Sequence, residues 1–320
     1  RIIVLGDIIA DEYLLGSAHR ISREAPILIL KHRNRELRLG GSGNAANNVR
    51  DLGGKVRIIG VLGKDTPGEE ALHLLKSYGI DTTGVLQLSE AETTVKTRVL
   101  AGQSNTTMQQ VVRIDREWEG TLSDEVITHL INQLNEMVEE TDAVLVSDYG
   151  LGVVNSKMVE AINTLTHTHG TRDGGLPVLV DSRFGLRCFQ GITAATPNEV
   201  EMKAIIERED KENIDEETLY QGAAALRKQQ DFGGVLLTRG KNGMVLFEEN
   251  NPPKSLEVFG GDDVADVTGA GDTVIGTFSL ALAAGAGMWV SAQLANITGG
   301  LVVMKRGTAT VNQRELLEVL

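Results

Sequence analysis

Short apolar runs alternate along this chain with segments of helical periodicity, and this alternation restricts the folds that it can adopt. The runs are rich in β-branched residues and nearly continuous in apolar character, which is typical of parallel strands covered on both faces. The order of strands and helices predicts an α/β fold with a doubly wound, mostly parallel sheet and helices on both of its faces. The predicted strands are 1–6, 56–62, 143–147, 177–181 and 235–238, and the clearest predicted helices are 44–52, 67–78, 124–139, 156–166 and 217–230.

Two stretches interrupt this alternation, one within residues 25–39 and the other within 93–116. Both combine short apolar runs with charged residues and have no long helix after them, which is typical of antiparallel ribbons. We expect them to form a small β-sheet lid, of about residues 12–39 and 93–116, on a single domain that spans 1–320. The alternative is that they are edge strands of the main sheet.

The charge balance restricts the partners of the chain. It has 31 Lys and Arg residues against 44 Asp and Glu residues, a formal net charge of −13, so we expect neither nucleic acid nor an anionic membrane surface as a partner. No apolar run approaches the roughly 18 residues of a membrane-spanning helix. The single cysteine, Cys188, has no partner for an internal disulfide, and no signal peptide is visible. A cytoplasmic protein is the simplest interpretation.

The most specific motif is D-V-T-G-A-G-D at residues 266–272, which an apolar helical segment follows. Small residues at a helix start leave backbone N–H groups exposed at the positive end of the helix dipole, and such groups bind anions. Gly269, Ala270 and Gly271 are the candidates for this anion hole. Asp272 beside them is a candidate general base, because a carboxylate there can accept a proton from a hydroxyl that attacks a phosphate. The alternative is an ordinary helix N-cap.

The D-x-T-G-A-G-D string resembles the C-terminal signature of the ribokinase/PfkB carbohydrate kinase family. Other segments resemble further motifs of that family and occur in the same order: G-G-S-G-N-A-A-N-N at 40–48, T-P-N-E-V-E at 196–201 and T-R-G-K-N-G at 238–243. The motifs cover nearly the whole chain. The resemblance implies a ribokinase-like fold with a small β lid, and an ATP-dependent enzyme that phosphorylates a sugar hydroxyl.

A closer resemblance is to the heptose 7-phosphate kinases of lipopolysaccharide precursor synthesis. It rests on R-I-S-R-E-A-P at 20–26, the segment 109–115 and S-D-Y at 147–149, and implies phosphorylation of the anomeric hydroxyl of a heptose 7-phosphate. Leu151 and Arg183 depart from the pattern, since both stand where those kinases usually have Lys. A kinase for another sugar such as fructose or ribose, or a non-catalytic sugar- or nucleotide-binding protein, stays open as an alternative.

The family resemblance also implies nucleotide and metal sites. Asn198 and Glu201 would organise Mg²⁺, which needs few protein carboxylates when waters and phosphate oxygens complete its shell; a helix cap at Asn198 is compatible with this role. Asp266 would lie near a monovalent cation such as K⁺, and the alternative is a turn-stabilising Asx residue. The positions that resemble contacts to ATP are Asn198, Thr238, Gly240, Gly243 and Asn296.

On the sugar side, Asp11 follows the first strand and is a candidate acceptor for sugar hydroxyls. Asp148 ends a strand at the edge where α/β folds bind ligands. Lys96 and Arg98 share one face of a lid ribbon, and with Arg113 they are candidates to bind a phosphate; solvated lid charges are the alternative. The positions that resemble the family's sugar-binding glycine motif are Gly40, Gly41 and Asn44.

The expected ligand is therefore a small sugar or sugar phosphate. Exposed strand edges of the lid invite pairing with other strands. The expected protein partner is a second copy of this chain, which would form a homodimer through the lid.

Overall fold

The computed structural model describes residues 1–102, 108–171, 174–206, 214–261 and 265–320; residues 103–107 of the predicted lid lie outside it. The strands are β1 Ile2–Gly6, β2 Ile8–Ile21, β3 Leu28–Gly41, β4 Val56–Gly63, β5 Asp81–Leu88, β6 Val95–Gly102, β7 Gln109–Arg116, β8 Ala143–Asp148, β9 Val178–Ser182, β10 Ala194–Ala195, β11 Gly234–Thr238, β12 Met244–Glu248 and β13 Lys254–Leu256. The helices are α1 Ser42–Asp51, α2 Thr66–Ser77, α3 Asp124–Val138, α4 Ser156–His169, α5 Glu199–Ile205, α6 Glu216–Gln229, α7 Ala270–Ala283, α8 Met288–Val303 and α9 Gln313–Leu317, with 3-10 turns at Leu186–Cys188 and Gly240–Asn242.

The main sheet confirms the predicted α/β architecture. Within the described residues, nine strands pair in the order β13–β12–β11–β10–β9–β8–β1–β4–β5. Neighbours from β11 to β5 run parallel, and β12 pairs antiparallel with β11 and with β13. The predicted parallel runs all lie in this sheet. The edge strand β5 escaped prediction because its polar sequence is only partly buried and lacks the apolar continuity of a covered strand.

Successive side chains of the central strand β1 enter different cores, as the period of two in a strand requires. Ile3 and Leu5 pack with residues of α3, α4 and α6 on one face of the sheet. Ile2 and Val4 pack with residues of α1, α2 and α7 on the other. Helices therefore cover both faces. In the described part of the chain, no helix is long and apolar enough to cross a membrane.

A second sheet of four strands, in the order β3–β2–β6–β7, forms the lid. The pairs β2–β3 and β6–β7 are antiparallel, as the ribbon pattern predicts, and a parallel β2–β6 pairing joins them. Strand β2 begins at Ile8, directly after β1, so this sheet starts earlier than the predicted boundary near residue 12. The first strand of the main sheet thus runs almost without interruption into the lid.

The two faces of the lid differ in character. Lys96 and Arg98 of β6 are buried on the face toward the main sheet, and Arg113 of β7 pairs in register with Arg98. Val112 and Ile114, which alternate with Arg113, are about half exposed. The lid thus presents cations to the main sheet and apolar side chains to solvent.

The connections of the main sheet diverge at β1, which lies between β4 and β8. Ligands bind at the carboxyl ends of strands at such a switch point in open α/β sheets. Asp7 follows β1 there, Asp148 ends β8, and Tyr149 follows it. A ligand site is therefore expected at this edge of the sheet, beneath the lid.

Candidate active site

Helix α7 begins at this edge with the Gly-Ala-Gly-Asp string. Its N-cap residue, Gly269, has φ +78°, a left-handed conformation that favours glycine. A Cβ atom on Gly269 would also lie 2.6 Å from Nδ2 of Asn44. Glycine at this position therefore permits both the turn into α7 and the close approach of α1.

The predicted anion hole needs one correction. The N–H of Ala270 donates to the carbonyl of Val267 at 3.2 Å, so it is already engaged in the turn that starts the helix. A Cβ on Gly271 would meet nothing nearer than Oδ2 of Asp181, at 3.8 Å, which leaves open space before this residue. Gly269 and Gly271 are consequently the better donors for an anion than Ala270.

Asp272 is buried, with 3% of its surface exposed. Its Oδ2 accepts from Nδ2 of Asn44 at 2.7 Å, and its Oδ1 accepts from the hydroxyl of Tyr149 at 2.9 Å. Burial raises the pKa of Asp272 to about 6, and the two hydrogen bonds oppose that rise. The carboxylate is therefore ionised at neutral pH and held at both oxygens, in a state suited to accept a proton.

Tyr149 is a site residue that the sequence analysis missed, and a buried carboxylate holds its loop. Asp7 accepts hydrogen bonds from the backbone N–H groups of Tyr149, Leu151 and Val153, at 2.9, 3.1 and 3.2 Å. Burial raises the pKa of Asp7 to about 6, against these hydrogen bonds. Asp7 thus positions Tyr149, which in turn positions Asp272.

A cavity of about 200 Å³, here called the lid cavity, lies between the lid and the start of α7. Its lining residues are Ile9, Asp11, Gly41, Lys96, Arg98, Arg113, Tyr149, Arg183, Thr268, Gly269, Asp272 and Thr308. Four cations and two carboxylates therefore face one small space. Such a cavity suits a polar ligand with negative charge.

The charges in the lid cavity are only partly compensated. Arg98 forms a buried ion pair with Asp11, and Arg113 forms an ion pair with Asp115. Burial lowers the pKa of Lys96, and the positive charges of Arg183 and Arg113 add to this effect. An anion bound there would relieve the repulsion among these cations.

The structure brings most of the predicted sugar-side residues to the lid cavity, and the exceptions are Gly40, Asn44 and Asp148. Gly40 lies behind Asp11, since its Cβ would stand 2.6 Å from the Asp11 carboxylate. Asn44 points to Asp272 and is absent from the described lining of the cavity.

Asp148 was predicted to bind substrate, and in the structure its carboxylate is engaged by neighbouring loops. Its carboxylate accepts from the hydroxyl of Ser182 at 2.6 Å and from the N–H of Gly150 at 2.9 Å. Both oxygens therefore tie together the loops after β8 and β9, and Asp148 is absent from the described lining of the lid cavity.

A second cavity of about 640 Å³, here called the helix cavity, lies on the other side of the α7 start. All five positions predicted to contact a nucleotide line it: Asn198, Thr238, Gly240, Gly243 and Asn296. Ala270 and Gly271 line it too, together with apolar residues that include Val258 and Val267. Asn296 also donates to the carbonyl of Glu257 at 2.7 Å. The α7 start thus separates a polar cavity from a larger, more apolar one.

Asn198 and Glu201 form a capping box at the start of α5. The N–H of Glu201 donates to Oδ1 of Asn198, and the N–H of Asn198 donates to Oε2 of Glu201, both at 2.9 Å. The helix-cap interpretation of Asn198 is therefore correct, and it leaves Oε1 of Glu201 outside the capping box. Burial raises the pKa of Glu201 against these bonds.

Asp181, at the end of β9, is a second residue that the sequence analysis missed. Burial raises its pKa well above the ordinary value, and the charges of Glu201 and Asp272 raise it further. Within the described residues, no group of three or more His, Cys, Asp and Glu side chains can hold a metal by itself. A cation here would need other ligands as well.

Asp266 shows the predicted alternative of a turn-stabilising residue. Its carboxylate accepts from the N–H of Thr268 at 2.9 Å and from that of Gly307 at 3.0 Å. Although burial acts in the opposite direction, these hydrogen bonds lower the pKa of Asp266. Its carboxylate therefore fixes the loop that leads into α7.

A buried carboxylate thus lies at a helix start, next to two cavities that could each hold a ligand. The comparison with known proteins identifies the class. The sequence pattern of the pfkB family carbohydrate kinases matches residues 1–315. The chain belongs to this family.

Curated relatives cover the whole chain. It is 39% identical over 323 residues to the bifunctional protein HldE of Coxiella burnetii, a match that covers 100% of this chain and 63% of that protein. It is 37% identical over 317 residues to the bifunctional protein HldE of Desulfatibacillum aliphaticivorans, covering 99% of this chain and 62% of that protein. The chain thus spans less than two thirds of the length of these relatives.

Solved structures agree with the fold. Phosphofructokinase-2 from Escherichia coli, in complex with substrates and products, gives a TM-score of 0.79 at 18% identity, covering 99% of this chain and 97% of that one. Arabidopsis thaliana ribokinase, complexed with ribose and ATP, gives 0.71 at 20% identity with the same coverage. The ribokinase-like fold predicted from the motifs is confirmed.

The hydrogen bonds to Asp272 lead to the first prediction. We expect Tyr149→Phe to raise the pKa of Asp272 above about 6, because the lost O–H donor stabilises the charged carboxylate. Titration of the Asp272 carboxyl carbon by ¹³C NMR, assigned through its loss in Asp272→Asn, measures the change. Tyr220→Phe, which removes a hydroxyl near α6, is the matched control and leaves this pKa unaltered. An unchanged or lowered pKa in Tyr149→Phe contradicts the assignment.

Proposed function

We propose that this chain transfers the γ-phosphoryl group of ATP to a sugar hydroxyl, with the sugar in the lid cavity and ATP in the helix cavity. The observation that carries the proposal is the placement of buried Asp272 between the two cavities, at the start of α7. The proposed acceptor is the anomeric hydroxyl of a heptose 7-phosphate or a similar sugar phosphate. A cytoplasmic location, where ATP is available, belongs to the same proposal.

Asp272 acts as the general base in this proposal. The hydroxyl oxygen forms a bond to the γ-phosphorus while the bond from that phosphorus to the ADP oxygen breaks, and the hydroxyl proton passes to the Asp272 carboxylate. A pKa of about 6 keeps the carboxylate ionised above that pH and still basic enough to take a proton. The rate should therefore fall as the pH drops through about 6.

The anion hole stabilises the charge that develops on the transferring group. The first-turn N–H groups of α7 have no acceptor within the helix, and Gly269 and Gly271 place no side chain over them. Ala270, whose N–H is engaged with Val267, contributes mainly by its small size. Donors fixed before the reaction are among the largest contributions to transition-state stabilisation.

The residues near the α7 start fit a magnesium ion bound together with ATP. Asp181 and Glu201 are carboxylates whose pKa values burial raises, so a divalent cation there would stabilise their charged forms. Mg²⁺ completes its shell with waters and phosphate oxygens and would neutralise charge on the phosphates. Glu201 and Asn198 would orient it, with Asp181 as an addition to the predicted set. A K⁺ ion near the Asp266 loop is part of the proposal, and an Escherichia coli phosphofructokinase-2 neighbour is in complex with potassium.

A phosphorylated substrate is favoured by the four cations of the lid cavity, Lys96, Arg98, Arg113 and Arg183. An unphosphorylated sugar such as fructose or ribose would leave this positive charge only partly compensated, by Asp11 and Asp115. The resemblance to heptose 7-phosphate kinases points in the same direction. It is consistent with the identity to proteins named bifunctional protein HldE.

Replacement of the base should stop the chemistry without loss of nucleotide binding. We expect Asp272→Asn to lower kcat by about 10²–10⁴-fold, since the amide cannot accept the proton, while MgATP still binds in calorimetry. Asp124→Asn, at the exposed start of α3, is the matched control. Near-normal turnover by Asp272→Asn would reject the base assignment.

Arg98 tests the substrate class. We expect Arg98→Ala to raise KM for sugar phosphates by about 10-fold or more, the value of a lost charge-assisted hydrogen bond, and to affect unphosphorylated sugars less. The measurement is a coupled ATPase panel with heptose 7-phosphate, other sugar phosphates, fructose, ribose and adenosine. Arg116→Ala, one lid strand away and outside the described lining of the lid cavity, is the control. Equal effects on both substrate groups would count against a phosphate contact.

The lid is also the proposed site of dimerisation. Ile21, Ile27 and Ile114 are each more than half exposed on its strands or their connection, and apolar surface of this kind is stabilised by burial against a second copy. We expect the wild-type chain to sediment as a dimer and Ile114→Asp as a monomer, measured by analytical ultracentrifugation. Leu317→Asp, exposed on α9, should remain dimeric. A monomeric wild type would refute the dimer.

A further inference from the structure

We propose that Arg183 is a catalytic residue whose guanidinium contacts the phosphoryl group during its transfer. The inference rests on the proposed function and adds a residue to which no role was given by the motifs. It follows from the position of Arg183 beside the proposed base, the absence of an ion-pair partner among the described residues, and its charge interactions with carboxylates on both sides of the α7 start.

The backbone places Arg183 next to Asp272. It follows β9 directly, and its N–H donates to the carbonyl of Asp148 at 3.2 Å. Its guanidinium carbon lies 4.3 Å from the centre of the Tyr149 ring, and the hydroxyl of that ring is hydrogen-bonded to Asp272. Arg183 also lines the lid cavity with Gly269 and Asp272. Its charge therefore lies against the ring whose hydroxyl holds Asp272 and faces the same cavity as Asp272.

Arg183 differs in charge balance from the two other arginines of this cavity. Arg98 is paired with Asp11, and Arg113 with Asp115. Among the described residues, no carboxylate forms an ion pair with Arg183, and its side chain is exposed. A cation that packs on an aromatic ring and, in the described part of the chain, has no ion-pair partner is available for an anionic ligand.

The field of Arg183 extends to the other side of the α7 start. Burial raises the pKa of Asp181, Glu201 and Asp272, and the charge of Arg183 lowers the pKa of each. Asp181 also lies before Gly271. Arg183 therefore acts electrostatically on the base and on the proposed metal side, and the transferring group lies between them.

The chemistry of the guanidinium suits this position. It stays protonated, so it neither gives nor takes a proton, and it can donate two parallel hydrogen bonds to phosphoryl oxygens. The acceptor proton still passes to Asp272, and the bond to ADP breaks as the new bond forms. Charge spread over the equatorial oxygens is stabilised by such a cation. Lys at this position in the heptose kinases that the chain resembles would supply charge but only point contacts.

The main competitor is a contact from Arg183 to a phosphate already present on the sugar. In that case, loss of the guanidinium raises KM for sugar phosphates and leaves kcat on unphosphorylated sugars unchanged. A contact to the transferring group lowers kcat for every acceptor. It also weakens binding of a transition-state analogue, which contains no sugar phosphate.

The test compares Arg183→Gln and Arg183→Lys with the wild type and with Arg187→Gln, a nearby arginine that donates to the carbonyl of Ile205. Calorimetry measures the Kd of MgADP with and without aluminium fluoride, and the acceptor panel gives kcat and KM. We expect Arg183→Gln to bind MgADP as the wild type does and to lose the affinity gained from aluminium fluoride. The kcat of Arg183→Gln should fall by about 10²–10³-fold. The kcat of Arg183→Lys should lie between those of Arg183→Gln and the wild type, and Arg187→Gln should match the wild type.

The proposal would be overturned if aluminium fluoride increased the MgADP affinity of Arg183→Gln as much as that of the wild type. It would also be overturned if aluminium fluoride did not increase the MgADP affinity of the wild type. A defect confined to KM for sugar phosphates would assign Arg183 to substrate recognition instead. If the wild type phosphorylates no acceptor of the panel, the proposed function fails, while the calorimetric comparison still decides whether Arg183 contacts the phosphoryl analogue. Arg183→Lys keeps the charge and serves as the second variant if the Gln protein is unstable.

Discussion

Burial of the Asp272 carboxylate is the constraint on which the rest of this site depends. A buried charge is costly unless hydrogen bonds satisfy it, and two distant segments supply them: Asn44 from α1 and Tyr149 from the loop after β8. That loop is fixed in turn by Asp7, which follows β1. The geometry of this carboxylate is therefore set by the pairing of β1 with β8 and by the packing of α1 on α7. The central strand β1 thus helps to position Asp272, through Asp7 and Tyr149.

The chain has a net charge of −13, yet its proposed ligands are anions. The local arrangement of charged side chains explains how it could bind them. Cations converge on the lid cavity, whereas carboxylates converge on the far side of the α7 start, where Mg²⁺ would bridge them to phosphates. Arg98 and Arg113 are each paired with a carboxylate, so their positions are fixed without a ligand. Lys96 and Arg183 lie near the Tyr149 ring, at 5.1 and 4.3 Å from its centre. Attraction for an anion is thus concentrated beside the base.

The sequence predicted those features that depend on local patterns. Continuous apolar runs indicated the parallel strands. The Gly-Ala-Gly-Asp string pointed to the proposed base, because small residues at a helix start leave backbone N–H groups exposed to an anion. Contacts between remote segments could not be predicted from these local patterns. Asp148 looked like a ligand residue at a strand end, and only the approach of Ser182 reveals its structural role. Tyr149 and Asp7 likewise acquire their roles from segments about 120 to 140 residues away, which spacing within a motif cannot indicate.

The division of the site between two sheets has a consequence for catalysis. Lys96, Arg98 and Arg113 belong to the lid, whereas Asp272 and Tyr149 belong to the main sheet, and the cavity between them exists only while the lid lies over the strand ends. Because β1 continues into β2 after a single residue, the lid is anchored at the same switch point that holds Asp7. Movement of the lid would change both the exclusion of water and the negative field of Asp11 of β2, which raises the pKa of Asp272. The position of the lid would therefore couple the proposed recognition of an anionic sugar to the ionisation of Asp272.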